Sequence, residues 1–247
     1  MRRTFHLSAV ITAIILGSVF VLGLGIISGS FYATPRLPIM AVISGFVITG
    51  IIVGWITKEE TIIEPGFSSF IVAIIGYIVF QSMELKGFLD LSRSDLALVL
   101  CNGILLTFAG AWAGEQLQGD SEEKTTLSIK VEWPWIVCGT TVGITVSVVL
   151  ISSIVVWLGA HMQLLLYAFL LGLLFTGFLM GLRSPSSTLL ESALAGFLTV
   201  ILSIDIVIVT LVPVNGRVKL GGVIVGLLVA MIGGYIGERV QKLKSAS

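Results

Sequence analysis

Two stretches of this chain, Leu220–Gly237 and Ile136–Ala160, run for 18 and 25 residues without a charged side chain. At about 1.5 Å of rise per residue, each is long enough to cross a hydrocarbon core of roughly 30 Å as a helix. Lipid offers no water to backbone N–H and C=O groups, so a crossing segment has to satisfy them internally. The rest of the sequence is of the same kind. Hydrophobic residues make up 56% and charged residues 11%, with a mean hydropathy of +1.08, whereas soluble domains carry about 25% charge. The expected fold class is an all-α polytopic membrane bundle.

Eight spans are expected, at about 7–29, 37–57, 66–81, 96–115, 134–158, 163–182, 189–211 and 219–238. Arg2 and Arg3 ahead of the first run imitate a signal peptide. The corresponding run in the second half lies mid-chain, and no small-x-small cleavage site surrounds Phe31-Tyr32-Ala33, so the first run reads as a retained span. With the N-terminus in the cytoplasm, nine of the 14 basic residues fall inside and five outside. That places both termini on the cytoplasmic side of the cell (inner) membrane. Trp55, Trp112, Trp133, Trp135 and Trp157 lie near span ends, where an amphipathic indole is best accommodated.

The chain also repeats itself. Residues 41–75 align without a gap onto 168–202 at an offset of 127, pairing Gly45/Gly172, Thr49/Thr176, Gly50/Gly177, Gly54/Gly181, Thr61/Thr188 and Glu64/Glu191. A second block, 103–118 onto 226–241 at offset 123, pairs Gly103/Gly226, Gly110/Gly233, Gly114/Gly237, Glu115/Glu238 and Gln118/Gln241. Coincident Gly, Thr, Glu and Gln are costly in so apolar a sequence, and they indicate an internal duplication. Four helices per repeat is an even number, so the two repeats enter the membrane in the same orientation, as tandem parallel (4+4) repeats. The expected organisation is a first four-helix repeat over 1–119, a cytoplasmic linker over 120–132 and a second repeat over 133–247. Thr125–Trp133 alternates weakly and is compatible with a short strand or a surface-lying segment.

The repeated residues suggest roles. Gly50, Gly54, Gly177, Gly181, Gly110, Gly114, Gly233 and Gly237 lie on helical faces where small residues let backbones approach and gain dispersion contacts. They predict packing of the second helix on the fourth and of the sixth on the eighth. Thr61–Glu64 and Thr188–Glu191 have the spacing of a capping box, with Glu64 itself an alternative cap because Pro65 follows it. The alternative is a pair of carboxylates facing each other as an ion or partner site. Glu115 and Glu238 stand at C-terminal helix ends, against the macrodipole, and require partners. Lys58 and Arg183 fall on the same side, which suggests latches Glu115–Lys58 and Glu238–Arg183, with Arg239 a local competitor. Asp205 is the one acid set in an apolar run, about 25 Å along its helix from Thr188, and is a candidate ion- or partner-binding residue. Asn102 and Thr107 read as interhelical hydrogen-bond donors.

Other chemistry is thin. The formal charge is zero, so no field steers nucleic acid toward the chain. Cys101 and Cys138 sit inside spans as apolar fillers, and His6 and His161 are isolated, so neither a metal site nor a cofactor is expected. Phosphate loops, GxSxG and HExxH are absent from the sequence.

The segment Arg183-Ser-Pro-Ser-Ser-Thr-Leu-Leu-Glu-Ser-Ala-Leu-Ala-Gly196 resembles a pattern found in uncharacterised small bacterial multi-pass membrane proteins. In these, a glycine-rich helix is followed by Ser-Pro-Gly-x-Thr-Ile-x-Glu-Pro-Ala. Here Ser186 stands for the pattern's glycine and Ser192 for its proline. The first copy keeps Thr61-Ile-Ile-Glu-Pro65 after Lys58-Glu59-Glu60. The resemblance implies a membrane protein and brings no activity with it.

These observations favour a non-enzymatic integral membrane subunit or scaffold that contacts the bilayer and associates with other membrane proteins or with itself. The alternative is a small transporter or channel whose pathway runs between the repeats.

Overall fold

The computed structural model describes residues 7–32, 36–57, 63–118, 132–158, 161–183, 189–203 and 216–245. Every regular element among them is helical. The chain divides into two compact units, Met1–Glu115 and Gln116–Ser247.

In the first unit, α1 (Leu7–Gly17) passes through a wider π turn at Ser18–Leu22 into α2 (Gly23–Phe31). Together they form one apolar span, Leu7–Phe31. The chain continues as α3 (Arg36–Ile56), α4 (Ile63–Ser82) and α5 (Arg93–Gln118), with a 3-10 turn at Lys86–Phe88. The second unit contains α6 (Trp133–Leu158), α7 (Met162–Arg183), α8 (Leu189–Ser203) and α9 (Gly216–Ser245). Seven helices are long and apolar enough to cross a membrane, as in an integral membrane protein, and α8 is described over 15 residues only. The rest of the expected seventh span, with Asp205, lies outside the described residues. So do most of the expected linker, Lys58, Thr61 and Thr188. Trp133 opens α6, so the strand considered for Thr125–Trp133 does not extend to its last residue.

Polarity is distributed as lipid requires. Ile11, Ile15 and Val19 form an exposed stripe on α1 and its π turn, and Phe67, Phe70, Ile74 and Ile78 form one on α4. Small polar residues turn inward instead, including Ser68, Ser69, Thr49 and Thr107. Tryptophan divides in the same manner. Trp133 and Trp157 are exposed, but Trp135 is buried in the core, so it packs inside rather than meeting the interface.

The first unit is filled by Val21, Val42, Phe46, Val72, Phe80 and Phe88, the last two with ring centroids 5.0 Å apart. Glycines make slots for these rings. Gly25 faces the Phe80 ring, Gly29 the Phe88 ring and Gly103 the Phe46 ring. At Gly221 on α9, and at Gly23 at the start of α2, an added methyl would meet nothing within 4 Å. Gly221→Ala is therefore expected to stabilise the protein by up to about 1 kcal/mol through helix propensity, read as a higher midpoint of unfolding in detergent.

Candidate functional site

Paired helix backbones approach one another very closely in each unit. On α3, a methyl group added at Gly50 would strike the Thr107 carbonyl and come within 2.7 Å of the Ala111 amide of α5. At Gly54 it would strike the Ala111 carbonyl. From the other side, Gly110 presses on the Val47 carbonyl and Gly114 on the Ile51 carbonyl. In the second unit Gly177 of α7 meets the Ala230 carbonyl and Gly181 the Gly234 carbonyl of α9, while Gly233 and Gly237 meet those of Leu174 and Phe178. The contacted residues repeat at the offsets of the aligned sequence: 123 from Thr107 to Ala230 and from Ala111 to Gly234, 127 from Val47 to Leu174 and from Ile51 to Phe178.

A further register emerges from the contacts. Gly17 of α1 lies against Thr49 and Val72, and Gly143 of α6 lies against Thr176 and Thr199. Gly45 backs onto Val21, and Gly172 onto Ser147. Each pair fits an offset of 126 for the first helix of the unit. Of the contact positions at this offset, only the glycine at 17 and 143 is shared in sequence.

The acidic residues separate by environment. Glu64 and Glu191 are both buried, in the first and second unit respectively. The helix that carries Glu64 begins at Ile63, so Pro65 is its third residue rather than its first. Thr188, the other half of the expected capping box of Glu191, lies outside the described residues. Glu191 Oε1 accepts from the backbone amide of Glu132 at 3.4 Å, so it caps the neighbouring α6, and its Oε2 has no partner.

Glu115, Arg183 and Glu238 each engage a neighbour. Gly181 lies 3.0 Å from the Glu238 amide, measured from the position a Cβ would take, so Glu238 and Arg183 stand at the same end of the α7–α9 pair. Arg239 is held by Tyr235: its Nε and Nη2 donate to the phenol oxygen at 2.9 and 2.6 Å, with the guanidinium 5.1 Å from the ring centroid. Thr107 donates to the Gly103 carbonyl of its own helix at 3.0 Å rather than to another helix, and Asn102 is exposed. Cys138 is buried and Cys101 exposed, both as free thiols.

Hydroxyls form the last feature. Thr49, Thr140, Thr145 and Thr176 all donate to the carbonyl four residues back in their own helices. Seven buried side chains among the described residues have a polar atom with no partner, and six of them belong to the second unit: Ser147, Ser152, Glu191, Ser192, Thr199 and Ser203. The seventh is Tyr32, just beyond α2, where burial pushes the phenol up to about 12. An apolar groove of ≈ 440 Å³ between α6, α7 and α9, lined by Val146, Leu150, Phe175 and Ile236 among others, offers no charge. Among the described residues no cluster of three or more His, Cys, Asp or Glu side chains could hold a metal ion.

No protein-family pattern matches the chain, and neither a curated protein nor a solved structure does.

Proposed function

We propose that this chain is a non-enzymatic integral membrane subunit, built as a tandem duplication of one four-helix unit. It resides in the cell (inner) membrane with both termini cytoplasmic and associates with other membrane proteins or with further copies of itself. The observation that carries this reading is the recurrence of glycine-to-backbone contacts at offsets of 123 and 127. Backbones in contact along both partners cannot slide past one another, because a packed helix face is not continuously deformable. Such units make rigid platforms. Crosslinking in the native membrane followed by mild detergent extraction tests the reading: a defined larger assembly is expected, and recovery as a lone monomer argues against it.

Latches at the ends of the glycine-packed pairs fit the same reading, Glu238 with Arg183 in the second unit and Glu115 with Lys58 in the first. Arg183→Glu is expected to lower stability by about 0.5–1 kcal/mol, and adding Glu238→Arg to restore most of it. A double-mutant cycle in detergent checks this; additive losses would remove the latch.

A transporter or channel is the second reading. The partnerless hydroxyls of the second unit favour it.

A further inference from the structure

We propose that the interior of the second unit binds a small alkali-metal monocation, taken up at Glu191 and coordinated along the inner face of α8. The inference goes beyond the scaffold reading and does not depend on it. Glu191 is 4% exposed, and one of its carboxylate oxygens has no partner. A carboxylate charge buried this deeply is strongly unfavourable unless something positive meets it, and a cation at the open oxygen would supply that.

The hydroxyls continue from there. Ser192, Thr199 and Ser203 are spaced seven and four residues apart, which places them on one face of α8 over about 17 Å. Each is essentially fully buried and each oxygen lacks a partner. Neighbouring helices add oxygens at matching points. The position a Cβ would take on Gly143 lies 2.6 Å from Thr199 Oγ1 and 3.3 Å from Thr176 Oγ1, and that of Gly172 lies 2.5 Å from Ser147 Oγ.

The scaffold itself does not demand this polarity. In the first unit the aligned residues are Pro65 for Ser192, Val72 for Thr199 and Gly76 for Ser203, and Val21 takes the place of Ser147 against its glycine. Val21 and Val72 belong to an apolar core. The same packing is therefore achieved without a hydroxyl, and the hydroxyls of the second unit serve something else.

The donor set defines the ligand. All the atoms are hard oxygens, which suit s-block cations rather than soft metals. Divalent sites typically gather several carboxylates, whereas one carboxylate balances a single positive charge. A hydroxyl can donate to its own helix and still offer lone pairs to a cation, and Thr176 already donates in that way to Gly172 at 2.8 Å. Among the described residues, the ionisable groups at the same end of the packed helices are Glu132 before α6, Arg183 on α7, and Glu238, Arg239 and Lys242 on α9, with Arg239 held by Tyr235.

The test uses the full chain in detergent. Thermal unfolding is followed by circular dichroism at fixed pH and ionic strength while NaCl or KCl replaces choline chloride. The midpoint is expected to rise saturably with Na+ or K+ and to lose that response in Glu191→Gln. Thr199→Val keeps the shape that Val72 has in the first unit, and is expected to raise the half-saturating concentration about tenfold. A midpoint indifferent to both cations, or an identical rise in Glu191→Gln, overturns the proposal. A response to pH with none to Na+ or K+ overturns it in favour of a proton. If Glu191→Gln fails to fold, Thr199→Val decides alone: an unchanged half-saturation overturns the site.

Discussion

Alanine at Gly54 or Gly181 is expected to destabilise the protein by about 2 kcal/mol. In both cases the new methyl would run into a backbone carbonyl, that of Ala111 or of Gly234. A side chain could rotate away, but a carbonyl in a hydrogen-bonded helix cannot. Relief therefore requires the whole helix to retreat, at about 1–3 kcal/mol or more for overpacking, against about 1 kcal/mol gained in helix propensity. Retreat also forfeits the dispersion contacts and close Cα–H···O approaches along the rest of the pair. The two variants should suffer alike, because the two sites have the same construction. Unfolding in a denaturing detergent series, set beside Gly221→Ala, measures the contrast. Equal stability of Gly54→Ala and Gly221→Ala would show that the α3 and α5 backbones do not touch.

Thr199→Val is expected to act in the opposite direction and stabilise the second unit by about 1–3 kcal/mol, because it removes a buried hydroxyl that has no partner. The substitution preserves shape, and Val72 in the first unit fills the corresponding position against Gly17. Ser147→Val should behave similarly on the precedent of Val21, although Gly172 approaches Ser147 closely and lessens the gain. Greater stability with weaker cation dependence is the signature of a site maintained at a cost to the fold. If Thr199→Val destabilises by more than about 1 kcal/mol, that hydroxyl is bonded in the membrane and its role is structural.

Much of the architecture could be read before any coordinates, for a physical reason. Lipid fixes the length and hydropathy of a crossing helix, so the expected spans fall within a few residues of α3 to α7, while α9 runs seven residues past its expected end, to Ser245. Small-residue spacing is equally direct, since i and i+4 positions share a face whatever the helix packs against. The site was less legible. Glu191 carries the spacing of a capping box, and nothing local reveals that its carboxylate reaches the Glu132 amide ahead of α6. Serine and threonine are common in membrane helices, where most satisfy themselves on the preceding turn, as Thr49 and Thr140 do. Only the packing separates those from Ser147, Thr199 and Ser203. That α6 corresponds to α1 followed from their places in the repeats, but their residue register was hidden, because one glycine is all that the contact positions share.

The central claim, that each unit is closed by direct backbone contact between its second and fourth helices, can be measured in lipid. Gly54 meets Ala111 and Gly177 meets Ala230, so both contacts join a glycine to an alanine carbonyl. Solid-state NMR on protein carrying 13Cα-glycine and 13C-carbonyl alanine reads them directly. Strong non-sequential cross-peaks for Gly54–Ala111 and Gly177–Ala230 are expected. Their absence, with the sequential Ala-Gly peaks intact, would contradict the account.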